Sequence, residues 1–224
     1  MREGTQNVTV FNTPGQAGDA LFFDGFESGM YWSLTRNNAS GDITRDTTVA
    51  YEGGASLKID TGAVAPTADD YTIANKYVAL GRERYVEAIF KWMLNTSADT
   101  TVLNFSIQVQ WAGEYQSYFF ILDTTSGNIV YFDSTGTPVV VNTDPFVIIN
   151  NVWYNWRMVI DRYGKRYISI ETSSTVFDLD GASPTSGATS SSEHCYILAM
   201  VQTKDASQKI LWIDNVTVRG ISSP

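Results

Sequence analysis

A chain with one histidine and one cysteine has few routes to nucleophilic chemistry, and here the two are adjacent, His194 and Cys195. Neighbouring side chains on a strand point to opposite faces, so these two are not placed to act together. Any Ser–His or Cys–His mechanism must use His194. One Cys forms no internal disulfide, and a Cys/His zinc site needs more ligands than these two. Glycoside hydrolysis needs two carboxyl groups about 5–10 Å apart. Glu87 stands alone on its strand, Glu171 has no carboxylate two residues away, and Asp178-Leu-Asp180 runs into the turn at Gly181. No catalytic carboxylate pair is legible, so a non-enzyme is expected. Binding is left. Sugars are held by aromatic rings against their C–H faces and by planar polar side chains at their hydroxyls. Gln108 and Gln110 alternate onto the polar face of one strand, Glu87 and Lys91 onto that of another, and Trp111, Tyr115 and Tyr118 supply rings nearby. The plainer alternative is that Trp111 continues a dry face and the glutamines belong to an ordinary solvated sheet.

The elements that must position these residues are strands. In residues 102–111, Leu103, Phe105, Ile107, Val109 and Trp111 fall on one face and Asn104, Ser106, Gln108 and Gln110 on the other, the period of a sheet with one dry side. Residues 85–94 and 153–161 read the same way. Three hairpins are predicted: 153–161 with 167–171 around Gly164, 194–203 with 209–219, and 128–133 with 139–142 around Gly136. On the strand at 194–203, Cys195 shares its face with Ile197, Ala199 and Val201 and reads as a buried hydrophobe. Further strands are predicted at 8–11, 20–24, 47–51, 56–60, 71–78, 115–122 and 176–180. The low-complexity stretch 181–192 reads as a flexible surface loop. No amphipathic helix of ten residues is evident. The pattern predicts an all-β, antiparallel, two-sheet jelly-roll sandwich over residues 20–224, preceded by a polar N-terminal arm over residues 1–19.

Composition agrees. The 224 residues carry 15 Lys+Arg and 24 Asp+Glu, for a formal net charge of −9; 43% are hydrophobic, 13% aromatic and only 17% charged. That is too apolar and too weakly charged for a disordered chain. An acidic chain is a poor nucleic-acid binder, and no segment reaches the roughly 20 apolar residues of a membrane helix. The polar start lacks the apolar core of a secretory signal, so synthesis in the cytoplasm is expected, with secretion as the alternative if a leader was removed.

Three passages resemble the concanavalin A-like lectin/glucanase superfamily and its relatives among the jelly-roll carbohydrate-binding modules. Leu21 to Gly29 (LFFDGFESG), Trp32 and Val49 to Ile59 (VAYEGGASLKI) are similar to the opening of such modules. Val152 to Asp161 (VWYNWRMVID) with its returning strand resembles a hairpin they carry on one sheet. Leu211 to Val218 (LWIDNVTV) resembles their closing strand, which lies beside the first. The resemblance implies a structural calcium ion where first and last strands meet, and Asp24, Glu27 and Asp214 match the positions of its ligands. A hard cation takes six or more oxygens, and the alternative is that Asp24 and Glu27 cap turns while Asp214 is solvated. The resembling glucanases carry a Glu-x-Asp-x-x-Glu strand and the lyases a Gln-x-His strand; neither occurs here. Many functions sit on this sandwich. The arm, the missing signal and the missing catalytic set favour a structural component of a phage or virus particle, a capsid decoration or tail-associated protein. Its partners would be other copies or other particle proteins, met through the arm. The alternative is a carbohydrate-binding module or lectin that takes a polysaccharide.

Overall fold

The computed structural model describes residues 20–79, 83–95, 101–111, 113–189 and 194–224. Among them are sixteen strands in two antiparallel sheets. The first sheet runs in the order β13 (Val176–Asp178), β12 (Arg166–Glu171), β11 (Tyr154–Asp161), β6 (Tyr85–Leu94), β16 (Ile210–Ile221), β4 (Ser56–Asp60) and β3 (Asp42–Asp46), with β1 (Ala20–Asp24) also paired to β16. The second runs β10 (Pro138–Val140), β9 (Asn128–Phe132), β8 (Glu114–Asp123), β7 (Thr101–Trp111), β15 (His194–Thr203), β5 (Tyr71–Val78) and β2 (Ser33–Arg36), with β14 (Thr185–Ala188) on β8. First and last described strands lie side by side, Asp24 opposite Val216. The two-sheet all-β sandwich is the predicted architecture.

Period-two alternation builds the core. Val86, Ala88, Phe90, Trp92 and Leu94 on β6 face Leu103, Phe105, Ile107 and Val109 on β7 across the gap, all buried. Aromatic rings fill its centre: Trp156 packs on Phe120 at 3.6 Å and on Phe105 at 4.6 Å between ring centroids, and Trp92 lies 5.3 Å from Trp156. Such edge-on contacts add to the burial of the rings themselves.

The predicted hairpin of 194–203 with 209–219 does not form: β15 lies in the second sheet and β16 in the first, so the turn between them carries the chain from one sheet to the other. Four further differences from the expected elements have local causes. Residues 47–51 are not a strand; buried Asp214 accepts the N–H groups of Tyr51 and Glu52 and bends them into a loop. β2 and β3 were not anticipated, because their side chains are mostly exposed and their sequences, SLTR and DITRD, carry little apolar signal. β14 lies inside the stretch expected to be a flexible loop. It pairs as an edge strand with β8 through backbone bonds, which a low-complexity composition does not forbid. The expected strand at 8–11 and the arm over residues 1–19 lie outside the described residues.

One end of the sandwich is held by charge. Asp161, at the end of β11, is fully buried and accepts three contacts from Arg84, at 2.7, 3.0 and 3.1 Å, one from Arg166, and the Gly164 N–H at 2.8 Å. Burial alone would raise its carboxyl, but these donors outweigh that and hold it below the usual 3.8. An acid with a lowered folded value stabilises the fold above its unfolded value, and that contribution is lost as pH falls through the folded one. Asp161→Asn is therefore expected to lose about 2 kcal/mol at neutral pH. In denaturant titrations the gap to the parent protein should narrow as pH is taken below 3.8. A constant gap would show that the carboxylate charge is not what matters.

Candidate glycan-binding face and the first–last strand junction

The outward face of the second sheet assembles a set of rings and amides. Register places Tyr77, Tyr196, Gln108, Ser117 and Thr185 in one row across β5, β15, β7, β8 and β14. His194, Gln110, Tyr115 and Gly187 form the row on one side. Asn75, Leu198, Ser106 and Phe119 form the next row on the other, and Ile73, Met200, Asn104, Ile121 and Val130 the row beyond. Tyr77 is 62% exposed, with its ring centroid 5.0 Å from Tyr196 and 4.9 Å from His194. Burial, and then the neighbouring Tyr77, raise the Tyr196 hydroxyl above the ordinary tyrosine value, so it stays protonated and able to donate. Gln108 donates to the Ser117 hydroxyl at 3.1 Å, and Asn75 to the Thr35 hydroxyl at 3.4 Å. The Asn104 side-chain oxygen is buried and accepts no hydrogen bond. Tyr115 keeps its place because Gly187 has no Cβ; one added there would lie 2.7 Å from the Tyr115 ring.

Of the residues singled out from sequence for ligand binding, Gln108, Gln110 and Tyr115 lie on this face. Glu87 does not. It is on β6 of the other sheet, fully buried, and bonded to both Arg157 and Arg219, with Arg157 also holding Glu171. The polar face of its strand is covered at that point, so an ion pair replaces solvent. Tyr118 is also displaced: it points into the core, with 0% exposure, and donates to Gln116 at 2.7 Å. Burial raises its hydroxyl far above the ordinary tyrosine value. Trp111 sits at the end of β7, partly exposed, 4.9 Å from the Tyr163 ring and 5.8 Å from the Arg162 guanidinium. It closes one end of the sandwich away from the rows of amides. Tyr77 and Tyr196 were not singled out, although a signal existed: the dry positions Cys195, Ile197 and Ala199 put Tyr196 on the wet side. Cys195 is fully buried and its thiol is pushed up to about 12 by burial, which makes it a poor nucleophile.

At the first–last strand junction Asp24 accepts the Phe26 N–H at 2.8 Å and the Trp32 indole N–H at 2.9 Å. Glu27 accepts the N–H groups of Gly54 at 2.8 Å and Ala55 at 3.2 Å. Asp214, fully buried, accepts those of Tyr51 at 2.9 Å, Glu52 at 3.2 Å and Asn215 at 2.7 Å. Burial raises the Asp214 carboxyl, and the nearby Glu27 charge adds to the shift. Glu27 and Asp214 are thus an anionic pair clamping the turn at 51–55, with the charge and hard oxygens a divalent cation favours. Asp24 is turned instead to Trp32. Among the described residues no three His, Cys, Asp or Glu side chains converge as a ligand set.

No family model matches the chain, and no curated protein matches it. Solved structures do. "Cellulose induced protein, Cip1" is 14% identical over 90% of this chain and 97% of its own, with a TM-score of 0.57. A "conserved carbohydrate esterase" of the Shiga toxin-encoding bacteriophage phi24B is 14% identical over 92% of this chain and all of its own, also at 0.57. A protein described among carbohydrate-binding modules of the β-sandwich superfamily is 13% identical at 0.51; this chain covers 91% of itself and 63% of that one. The fold is therefore that of a carbohydrate-binding-module-like jelly-roll β-sandwich.

Proposed function

We propose that the protein binds a polysaccharide on the outward face of its second sheet. The observation that carries this reading is the row of Tyr77, Tyr196, Gln108 and Ser117, where the exposed Tyr77 ring and the half-buried Tyr196 ring adjoin amide and hydroxyl groups on a rigid sheet. Rings meet the C–H faces of sugars, and amides meet their hydroxyls. Its fold is one that carbohydrate-binding modules use. The test is retention of the protein in gels cast with polysaccharides, compared with a gel without them. Migration unchanged across a broad panel would overturn the reading.

A second reading places this binding surface on a phage or virus particle, as a surface component made in the cytoplasm and joined to other copies or particle proteins through residues 1–19. Its support is the polar, arm-like composition of those residues and the bacteriophage protein that has this fold along its whole length. Light scattering after size exclusion tests it: an oligomer that falls to monomer when residues 1–19 are deleted supports the arm, and a strict monomer before deletion sinks it.

A calcium ion at the first–last junction belongs to the same proposal, with Glu27 and Asp214 supplying carboxylate oxygens. Calcium is expected to raise the melting temperature by several degrees over protein in a chelator, since a ligand held only by the folded state stabilises it. Equal melting in both would leave the turn at 51–55 to its N–H donors alone.

A further inference from the structure

The exposed aliphatic side chains are not scattered. Among the described residues six such side chains are exposed, and four of them, Val140, Val147, Ile149 and Val152, fall in the segment that ends β10 and leads to β11. Single exposed Val or Ile residues are ordinary, but a run of them marks a surface that something covers. Local geometry turns three of them outward together. Phe146 and Ile148 pack on the core, so Val147 and Ile149, each one residue further on, stay outside at 74% and 61% exposure. The Ile149 carbonyl accepts the Val152 N–H at 3.3 Å and closes a turn that brings Val152 beside Ile149. Trp153 follows, its ring centroid 5.8 Å from that of the exposed Tyr51. On the order of 400 Å² of apolar surface is left uncovered here, about half of what each partner of a stable face-to-face interface contributes. The patch is sized for a short segment, not for a second sandwich laid against it.

The chain carries such a segment. Residues 1–19 are polar apart from one short apolar cluster, Val8, Val10 and Phe11. The same copy is badly placed to supply it. Ala20 lies opposite Arg219, and β1 runs from there to Asp24, opposite Val216, towards the end where Asp214 holds Tyr51. The chain before Ala20 therefore leaves in the other direction. Register places Trp153 across β16 and β6, near the level of Trp212 and roughly 25 Å from Ala20 at strand spacing and rise. From Ala20 back to Phe11 the chain spans about 30 Å at full extension. It would have to reverse and still run almost straight, with the turn formers Pro14, Gly15 and Gly18 in between. A neighbouring copy meets no such limit.

Resting on the reading in which copies join through residues 1–19, we propose that Val8, Val10 and Phe11 of one copy dock on the patch of Val147, Ile149, Val152, Trp153 and Tyr51 of the next. Each copy gives an arm and receives one, so the contact is heterologous and builds rings or filaments.

The test follows the mass of the full chain by light scattering at high concentration. It compares the parent with two double variants, Val147→Asp/Ile149→Asp and Val10→Asp/Phe11→Asp, with melting curves to confirm folding and Val152→Asp as a second break of the patch. The parent is expected to be an oligomer. Each double variant should associate about 100-fold more weakly or worse and run as a monomer, since two apolar side chains lose their burial. Mixed in equal amounts, the double variants should form a one-to-one dimer, because one keeps its arm and the other its patch. No dimer in the mixture, or an oligomer that survives the patch substitutions, overturns the inference. So does an arm variant that stays oligomeric while the patch variant does not, which would pair patch with patch. If deleting residues 1–19 still yields a monomer when the patch variants do not, the arm reading survives with another receptor. A monomeric parent overturns both.

Discussion

Replacing Tyr77 and Tyr196 together with alanine is expected to lower polysaccharide affinity about 100-fold and leave the melting temperature nearly unchanged. Each ring offers about 1–1.5 kcal/mol of contact to a sugar face, and every 1.4 kcal/mol is a factor of ten. The two rings touch each other at 5.0 Å, so the single variants should not sum simply to the double one. The fold is indifferent because the strands carrying them are anchored on the opposite side. Val78 beside Tyr77, and Cys195 and Ile197 beside Tyr196, are buried and stay in place. Calorimetric titration reads the affinity and a melting curve the fold. A double variant within about twofold of the parent removes this face from the binding site.

The core prediction is larger in free energy. Trp156→Ala is expected to lower stability by about 3–5 kcal/mol, and so the melting temperature by roughly 6–20 °C for a domain of this size. Trp156 is 1% exposed and is the ring on which Phe105, Phe120 and Trp92 converge from both sheets. Removing it leaves a void that rings fixed in two hydrogen-bonded sheets cannot close. Calorimetric melting measures the effect. Loss of less than about 1 kcal/mol would mean that the sheets slide together, contrary to the rigidity their register implies.

Much of this was legible in the sequence because strand alternation is a local signal. Cys195, Ile197, Ala199 and Val201 could be placed on a dry face without knowing what they pack on, and all four are fully buried. The same rule put Gln108 and Gln110 outside. It failed where burial depends on distant chain. Glu87 obeys the alternation and still has no contact with solvent, because Arg157 and Arg219 arrive from β11 and β16. Nearness to Trp111 in sequence suggests Tyr118 as a ligand-binding ring, yet its register partner Ile107 and its 0% exposure put it in the core. β14 was hidden because an edge strand of Thr, Ser, Gly and Ala has no apolar face to announce it.

Residue order is enough to set the class of fold, the dry face of each long strand and the narrow range of chemistry open to a chain with one histidine and one cysteine. These follow from residue type and period two, which need only neighbours in the chain. Which residues share a wet face is set by the tertiary fold. Rows such as Tyr77–Tyr196–Gln108–Ser117 join residues from four strands, and Glu27 and Asp214, far apart in the chain, hold N–H groups of the same turn at 51–55. Such groupings are set by strand order and register, quantities that no local pattern contains.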